Sequence, residues 1–159
     1  MTYGGTVLSV ADIHASRKFY EDLFGLELYQ DYGINICFTG GLSLQQEFDW
    51  LVNLPKDRIC TRPHNMELYF EEKNFDNFME KLKGFPSVRL LGGVVEHGWG
   101  QRVIRLYDPD GHLIEVGECM KTVIRRFLNT GLTMKETAER MDVSVKDLET
   151  LLSEEYGAV

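Results

Sequence analysis

Proline is scarce in this chain, with four residues among 159, and cysteine scarcer still, with three. So little proline, beside 43% hydrophobic and 26% charged residues, is an ordinary globular composition and excludes a disordered or fibrous chain. Cys37, Cys60 and Cys119 are odd in number and include no CxxC pair. That excludes a disulfide framework and a thiolate zinc site, and suits a cytoplasmic location. No apolar run approaches the roughly 20 residues a membrane span needs, so no integral membrane protein is expected. The opening Met1-Thr2-Tyr3-Gly4-Gly5 has neither a basic nor an apolar leader region, which predicts no export. Positive charge is short as well: 17 Lys and Arg stand against 25 Asp and Glu, a net of −8. Phosphates would be repelled, so neither nucleic acid nor an anionic membrane is an expected partner. No His has a Ser or Cys at a nucleophile's spacing, and Gly92-Gly93 lacks the GxGxxG pattern of a dinucleotide site.

What is present is an internal repeat. The length suits one domain, or one domain with an appendage. Thr6 to Val10 reads as a strand, followed by helical spacing of Ile13, Phe19, Tyr20, Leu23 and Phe24 between a capping Asp12 and Gly25. Strands are then expected over 26–32, 34–39 and 42–46, the last two joined by Gly40-Gly41. After an irregular excursion over 47–63 the order returns. A strand over 67–71 precedes a helix with Phe75, Phe78, Met79 and Leu82 inward, capped by Asn74 and ended by Gly84. Strands over 88–94, 101–107 and 113–116 follow, the last pair joined by Asp108-Pro109-Asp110-Gly111, a turn sequence. Asp12 matches Asn74 at an offset of 62 and Gly41 matches Gly111 at 70, so the loops between differ by eight residues. Two βαβββ units, over about 3–47 and 64–119, predict a pseudo-symmetric α+β domain spanning 3–119.

Residues 120–159 read as a tail of three short helices. Val123, Ile124, Phe127 and Leu128 make one stripe, and Leu148, Leu151 and Leu152 another. Thr133 with Glu136, and Ser144 with Asp147, sit at capping-box spacing. The segment 131–148 resembles a helix-turn-helix, yet the tail holds six Lys or Arg against seven Asp or Glu. With no phosphate-neutralising surplus, DNA is not the expected partner. So short a bundle is expected to leave part of its apolar stripes for docking on the body or a second copy.

The stretch Val7-Leu8-Ser9-Val10-Ala11-Asp12-Ile13-His14, continuing through Phe19-Tyr20-Glu21-Asp22-Leu23-Phe24-Gly25-Leu26, resembles the opening of the vicinal oxygen chelate family. That family includes glyoxalase I, bleomycin-resistance proteins, fosfomycin-resistance enzymes and extradiol dioxygenases. Asp108-Pro109-Asp110-Gly111-His112-Leu113-Ile114-Glu115-Val116 resembles its closing hairpin, and Trp99-Gly100 is similar to the small binding members. The resemblance implies the glyoxalase/bleomycin-resistance fold, a cup for a small-molecule ligand or substrate, and a homodimer. It also implies four metal positions, which register carries onto Gly5, Gln45, Glu67 and Glu115.

The family's usual histidine is absent from that set, and Gly5 has no ligand atom. Gln45, Glu67 and Glu115 could hold a divalent ion (Zn, Ni, Mn or Mg), with Glu115 the candidate for moving a proton in a lyase or isomerase reaction of the glyoxalase I type. The other reading has no cofactor: a binding protein whose metal site has degenerated. Strand alternation then places Val103, Arg105 and Tyr107 with Glu67, Tyr69 and Glu71 toward the cup. Arg105 would pair with Glu67 or Glu115 in the cation's place, and Tyr69, Tyr107 and Trp99 would supply aromatic walls for an amphipathic ligand. His64, by strand parity, faces away.

Overall fold

The computed structural model describes residues 1–153, and its two four-stranded sheets share one build. The first takes strand β1 (Thr6–Ser9), helix α1 (Ile13–Phe24), and strands β2 (Leu28–Asp31), β3 (Asn35–Phe38) and β4 (Leu42–Gln45), in the order β1-β4-β3-β2. A short helix α2 (Phe48–Val52) and a 3-10 turn at Lys56–Arg58 occupy the excursion. The second takes β5 (Leu68–Glu72), α3 (Phe75–Lys83), β6 (Val95–Glu96), β7 (Arg102–Tyr107) and β8 (Leu113–Glu118), in the matching order β5-β8-β7-β6. In each, the first strand runs parallel to the last. The repeat expected from the offsets is therefore real, and the α+β fold class with it.

Local chemistry explains the element ends. The Asp12 carboxylate accepts from the backbone N–H of His14 and Ala15 at 2.9 and 3.0 Å, and Gly25 closes α1 in a left-handed turn at φ 68°. Asn74 caps α3 by accepting from Asn77 N–H at 3.1 Å, but Gly84 ends it with right-handed φ −72°, unlike Gly25. The strand expected over 88–94 is the main departure. Leu90 makes a single bridge to Leu106, Leu91 N–H donates to the Arg105 carbonyl at 2.9 Å, and the pairing resumes only at Val95–Glu96. Gly92-Gly93 interrupts the ladder, because paired strand backbone costs most for glycine.

The chain forms two compact units whose borders cross the sequence repeat. The first comprises Met1–Glu67, Phe85–Arg89 and Tyr107–Leu113; the second comprises Leu68–Gly84, Leu90–Leu106 and the described residues from Ile114 onward. The turn of the closing hairpin belongs to the first unit because Asp108 and Asp110 are bound there. Asp108, buried, accepts from the Tyr20 hydroxyl at 2.9 Å, from the Asp110 and His112 N–H groups at 3.0 and 2.8 Å, and meets His112 Nδ1 at 2.8 Å. Asp110 accepts from Ala11 N–H at 2.8 Å and the Ser16 hydroxyl at 3.0 Å. Around these contacts Leu8, Val10, Ile13, Tyr20, Leu23, Ile36, Phe38 and Leu44 are buried. In the second unit Phe75, Phe78 and Leu82 are buried along one side of α3, and Ile104, Leu106, Ile114 and Val116 on the strands.

The tail is α4 (Met120–Asn129), α5 (Met134–Met141) and α6 (Val145–Ser153); Glu154 and Glu155, counted in its charge, lie outside the described residues. Both capping boxes form: Thr133 and Glu136 exchange bonds of 2.8 and 3.2 Å, and Ser144 and Asp147 two of 3.1 Å. Its apolar stripes close a core of their own and also reach the body, where the Phe127 ring lies against Gly100. Val123, Ile124, Ala138, Met141 and Leu148 close one cluster, with Phe127, Leu128, Leu151 and Leu152 half-buried against it. Ala138 and Met141 on the middle helix supply the filling that the two stripes lack. A buried carboxylate ties the tail to the second sheet. Glu118, 1% exposed, meets Arg126 of α4 at 3.2 Å and Arg102 of β7 at 3.1 Å. Among the described residues no helix is long and apolar enough to cross a membrane.

His112 makes the first unit's stability depend on pH. Burial alone would lower its pKa, but the hydrogen bond and charge of Asp108, with Asp110 behind, hold it above the ordinary 6.5. A raised folded pKa gives a stabilisation that is complete below about pH 6.5 and is lost as pH rises through the folded value. The urea midpoint is therefore expected to fall from about pH 5.5 to 8.5, and His112→Gln to flatten that fall. A midpoint just as pH-dependent in the variant would show that other groups carry it.

Candidate functional site

The second sheet presents one polar face. β5 and β8 pair in parallel with Tyr69 opposite Glu115 and Glu71 opposite Gly117, so these four share a side. Glu115 is buried, and its Oε2 meets Nη2 of Arg105 on β7. The pairing of Arg105 with Glu115, one of the two acids open to it from the sequence, is present. Gly117 is small for a reason: a Cβ there would stand 2.7 Å from Gln101 Nε2 and 3.0 Å from Tyr69 Cε2. The Tyr69 ring thus lies across β8. Its hydroxyl accepts from Gln101 Nε2 at 2.9 Å and donates to Glu71 at 3.2 Å. Gln101, itself buried, also donates to the Glu118 carbonyl at 2.9 Å and accepts from Trp99 Nε1 at 3.2 Å. Trp99 stacks on His97, centroids 4.3 Å apart, with its indole 41% exposed.

The Tyr69 phenol is pushed up to about 12, first by burial and then by the Glu71 and Glu115 carboxylates, against the opposing bond from Gln101. It therefore stays protonated at neutral pH and acts as a hydrogen-bonding group rather than a base. The face offers a guanidinium, a neutral phenol and an aromatic plane, with its buried carboxylate already matched. Groups of these kinds, set together, are chemically able to orient a small polar or amphipathic molecule. Gln101 and Gly117 were not anticipated. Strand parity with Val103 and Arg105 marks Gln101 for this face, whereas nothing local marks Gly117, whose role depends on β5 lying beside β8.

The remaining candidates have other surroundings. Tyr107, expected to follow Arg105, is buried in the first unit, its ring 3.7 Å beneath the Arg89 guanidinium and its hydroxyl 3.1 Å from His64 Nε2. Arg89 covers one ring face and His64 engages the hydroxyl. Glu67 is exposed, just ahead of β5. Gln45 is buried, and its amide oxygen accepts from Asn35 Nδ2 at 3.0 Å while its Nε2 donates to the Gln46 carbonyl at 2.6 Å. Gly5, at φ 137°, has no room for a side chain, since a Cβ would stand 1.9 Å from the Gly41 carbonyl oxygen. Among the described residues no three His, Cys, Asp or Glu side chains are grouped to hold a metal. The donor set therefore does not fit a divalent ion: position 5 admits no ligand, the Gln45 oxygen is taken, and Glu115 holds a guanidinium.

Comparison with known proteins agrees with the geometry of the fold. The pattern of the glyoxalase-like domain matches residues 3–121. A protein of unknown function from Agrobacterium tumefaciens is 34% identical, covering 74% of this chain and 94% of its own, with a TM-score of 0.65. A glyoxalase/bleomycin resistance protein/dioxygenase family enzyme from Burkholderia phytofirmans is 17% identical over 72% of this chain and 96% of its own, TM-score 0.63. A lactoylglutathione lyase from Agrobacterium tumefaciens is 20% identical over 74% and 92%, TM-score 0.54. At such identities the last two speak for the fold alone. Two βαβββ modules with a matching family pattern define a protein of the vicinal oxygen chelate class. This chain belongs to the glyoxalase-like domain family.

Two substitutions probe the site. Gly5→His is expected to lower the melting temperature and to add no Ni²⁺ binding, because the backbone at Gly41 excludes the side chain; a gain of stoichiometric Ni²⁺ would refute the steric argument. Arg105→Gln removes a guanidinium from a buried carboxylate. It should cost about 1–3 kcal/mol in urea unfolding, at the lower end because the Arg105 side chain is 28% exposed. Adding Glu115→Gln should recover part of that loss, and strictly additive single-variant costs would show the pair uncoupled.

Proposed function

We propose that this chain is a glyoxalase-like protein that binds a small amphipathic molecule on the polar face of its second sheet without a divalent metal. The Arg105–Glu115 ion pair carries the reading. A guanidinium supplies the positive charge beside Glu115, and it is a fixed hydrogen-bond fork rather than an ion with open coordination positions. Arg105 can bind an oxygen-rich group of the ligand, Tyr69 and Gln101 can fix its orientation, and Trp99 can cover an apolar part. Homodimerisation is part of the same proposal, supported by the exposed Leu90, Leu91, Val94 and Val95 beside and on edge strand β6. A cytoplasmic location is proposed from the three thiols Cys37, Cys60 and Cys119, none of them in a disulfide.

Protein purified without chelators is expected to carry no stoichiometric metal and to show no saturable one-equivalent site for Ni²⁺ or Zn²⁺. Small molecules that raise its melting temperature should do so equally in EDTA, and lose the effect in Tyr69→Ala and Arg105→Gln. Stoichiometric metal that disappears in Glu115→Ala, together with lactoylglutathione lyase activity, would replace this reading with a metal-dependent lyase.

A further inference from the structure

The glyoxalase-like pattern ends at residue 121, while the chain continues into helices that are packed within the same compact unit as the polar face. The segment His97–Gly100, between β6 and β7, is where the two meet. It is closed on itself by His97 N–H to the Gln101 carbonyl and Gly100 N–H to the His97 carbonyl, both 2.8 Å. Both of its glycines are held by the tail. Arg126 on α4 donates through Nη2 to the Gly100 carbonyl, and Arg140 on α5 donates through Nη1 to the Gly98 carbonyl. Between them the Phe127 ring presses on Gly100 so closely that a Cβ there would stand 2.3 Å from Cζ. Gly100 also has φ 89°, so the position requires glycine twice over, for backbone and for space.

The three tail side chains are themselves fixed. The guanidinium carbons of Arg126 and Arg140 lie 5.2 and 5.6 Å from the centre of the Phe127 ring. Arg126 is further anchored on buried Glu118. Trp99 stands between the two gripped glycines and hands its orientation to Gln101, and Gln101 to Tyr69.

We propose that the helical tail is a positioning element for the ligand face: through Arg126, Phe127 and Arg140 it fixes the 97–100 loop and so presents the Trp99 indole beside Gln101 and Tyr69. The proposal rests on the reading of that face as the ligand site for its purpose, but not for its geometry. A free loop of two glycines around an exposed aromatic would sample many conformations, and a ligand would have to restrict them on binding. A tail that restricts them beforehand is a preorganising device, supplied from outside the region that defines the family.

The chain has two tryptophans, so full-length Trp50→Phe leaves Trp99 as the sole indole reporter. In that background Arg140→Ala, at an exposed position outside the tail core, should raise acrylamide quenching of Trp99 roughly two-fold and lower its fluorescence anisotropy, with helix content unchanged. Arg140→Lys should restore part of the effect, and Lys135→Ala on the same helix should do nothing. Gly100→Ala should loosen Trp99 at least as much; if that variant does not fold, Arg140→Ala and Arg140→Lys decide alone. Quenching and anisotropy equal to the parent in Arg140→Ala would overturn the proposal. The measurement needs no ligand, so a small molecule that binds elsewhere would remove the purpose while leaving the fluorescence response intact.

Discussion

A carboxylate inside a protein must be given its counter-charge and its hydrogen bonds by the fold, and the closing hairpin of this chain buries three of them. Asp108, Glu115 and Glu118 are each less than a tenth exposed. Left unmatched, any of them would cost several kcal/mol, so much of the surrounding structure can be understood as what they require. Asp108 takes a tyrosine hydroxyl, an imidazole and two backbone N–H groups, and thereby holds the hairpin turn to α1 within the first unit. Glu115 takes Arg105 and defines the polar face. Glu118 takes two arginines, one from β7 and one from the tail, which is why the tail is part of the second unit rather than a separate body.

This constraint also explains what could be read from the amino-acid order and what could not. The repeat was legible because its punctuation is local: Asp12 and Asn74 cap helices by bonds to their own next residues, and Gly40-Gly41 turns a hairpin by its own positive φ of 92° and 88°. Strand parity was legible too, and it put Arg105 and Tyr69 on one side. Parity fails where partners come from afar. Tyr107 has the right parity, but Arg89 and His64 claim its ring and hydroxyl. Gln45 sits at the end of β4 as expected, but Asn35 on the neighbouring strand takes its oxygen. The strand expected over 88–94 failed for a smaller reason, two glycines whose entropy outweighs a row of valines and leucines.

The tail shows the same division between local and distant signals. Its caps and helices followed from spacing, yet its core did not, because two leucine-rich stripes say nothing of Ala138 and Met141 until three helices are folded together. Its grip on the 97–100 loop was further from reach. Arg126 and Arg140 look like solvent-facing charges on amphipathic helices, and only the folded chain shows both spent on backbone carbonyls.

On the metal-free reading proposed above, a guanidinium stands where a metal's charge would, and that limits what a glyoxalase-like scaffold can do. A divalent ion with open coordination positions would supply Lewis-acid stabilisation to substrate oxygens. Arg105 carries one delocalised charge, keeps its proton throughout, and is already partly neutralised by Glu115. It can orient an oxygen-bearing ligand, but the field it offers to a developing anion is weaker. Tyr69 adds no base, since burial and two neighbouring acids hold its proton to about pH 12. Position 5 reinforces the argument from a different direction. A lost metal ligand can be regained by one substitution if its space survives, but here the Gly41 backbone has closed over the place where a side chain would begin. The first strand is packed for a scaffold without that ligand.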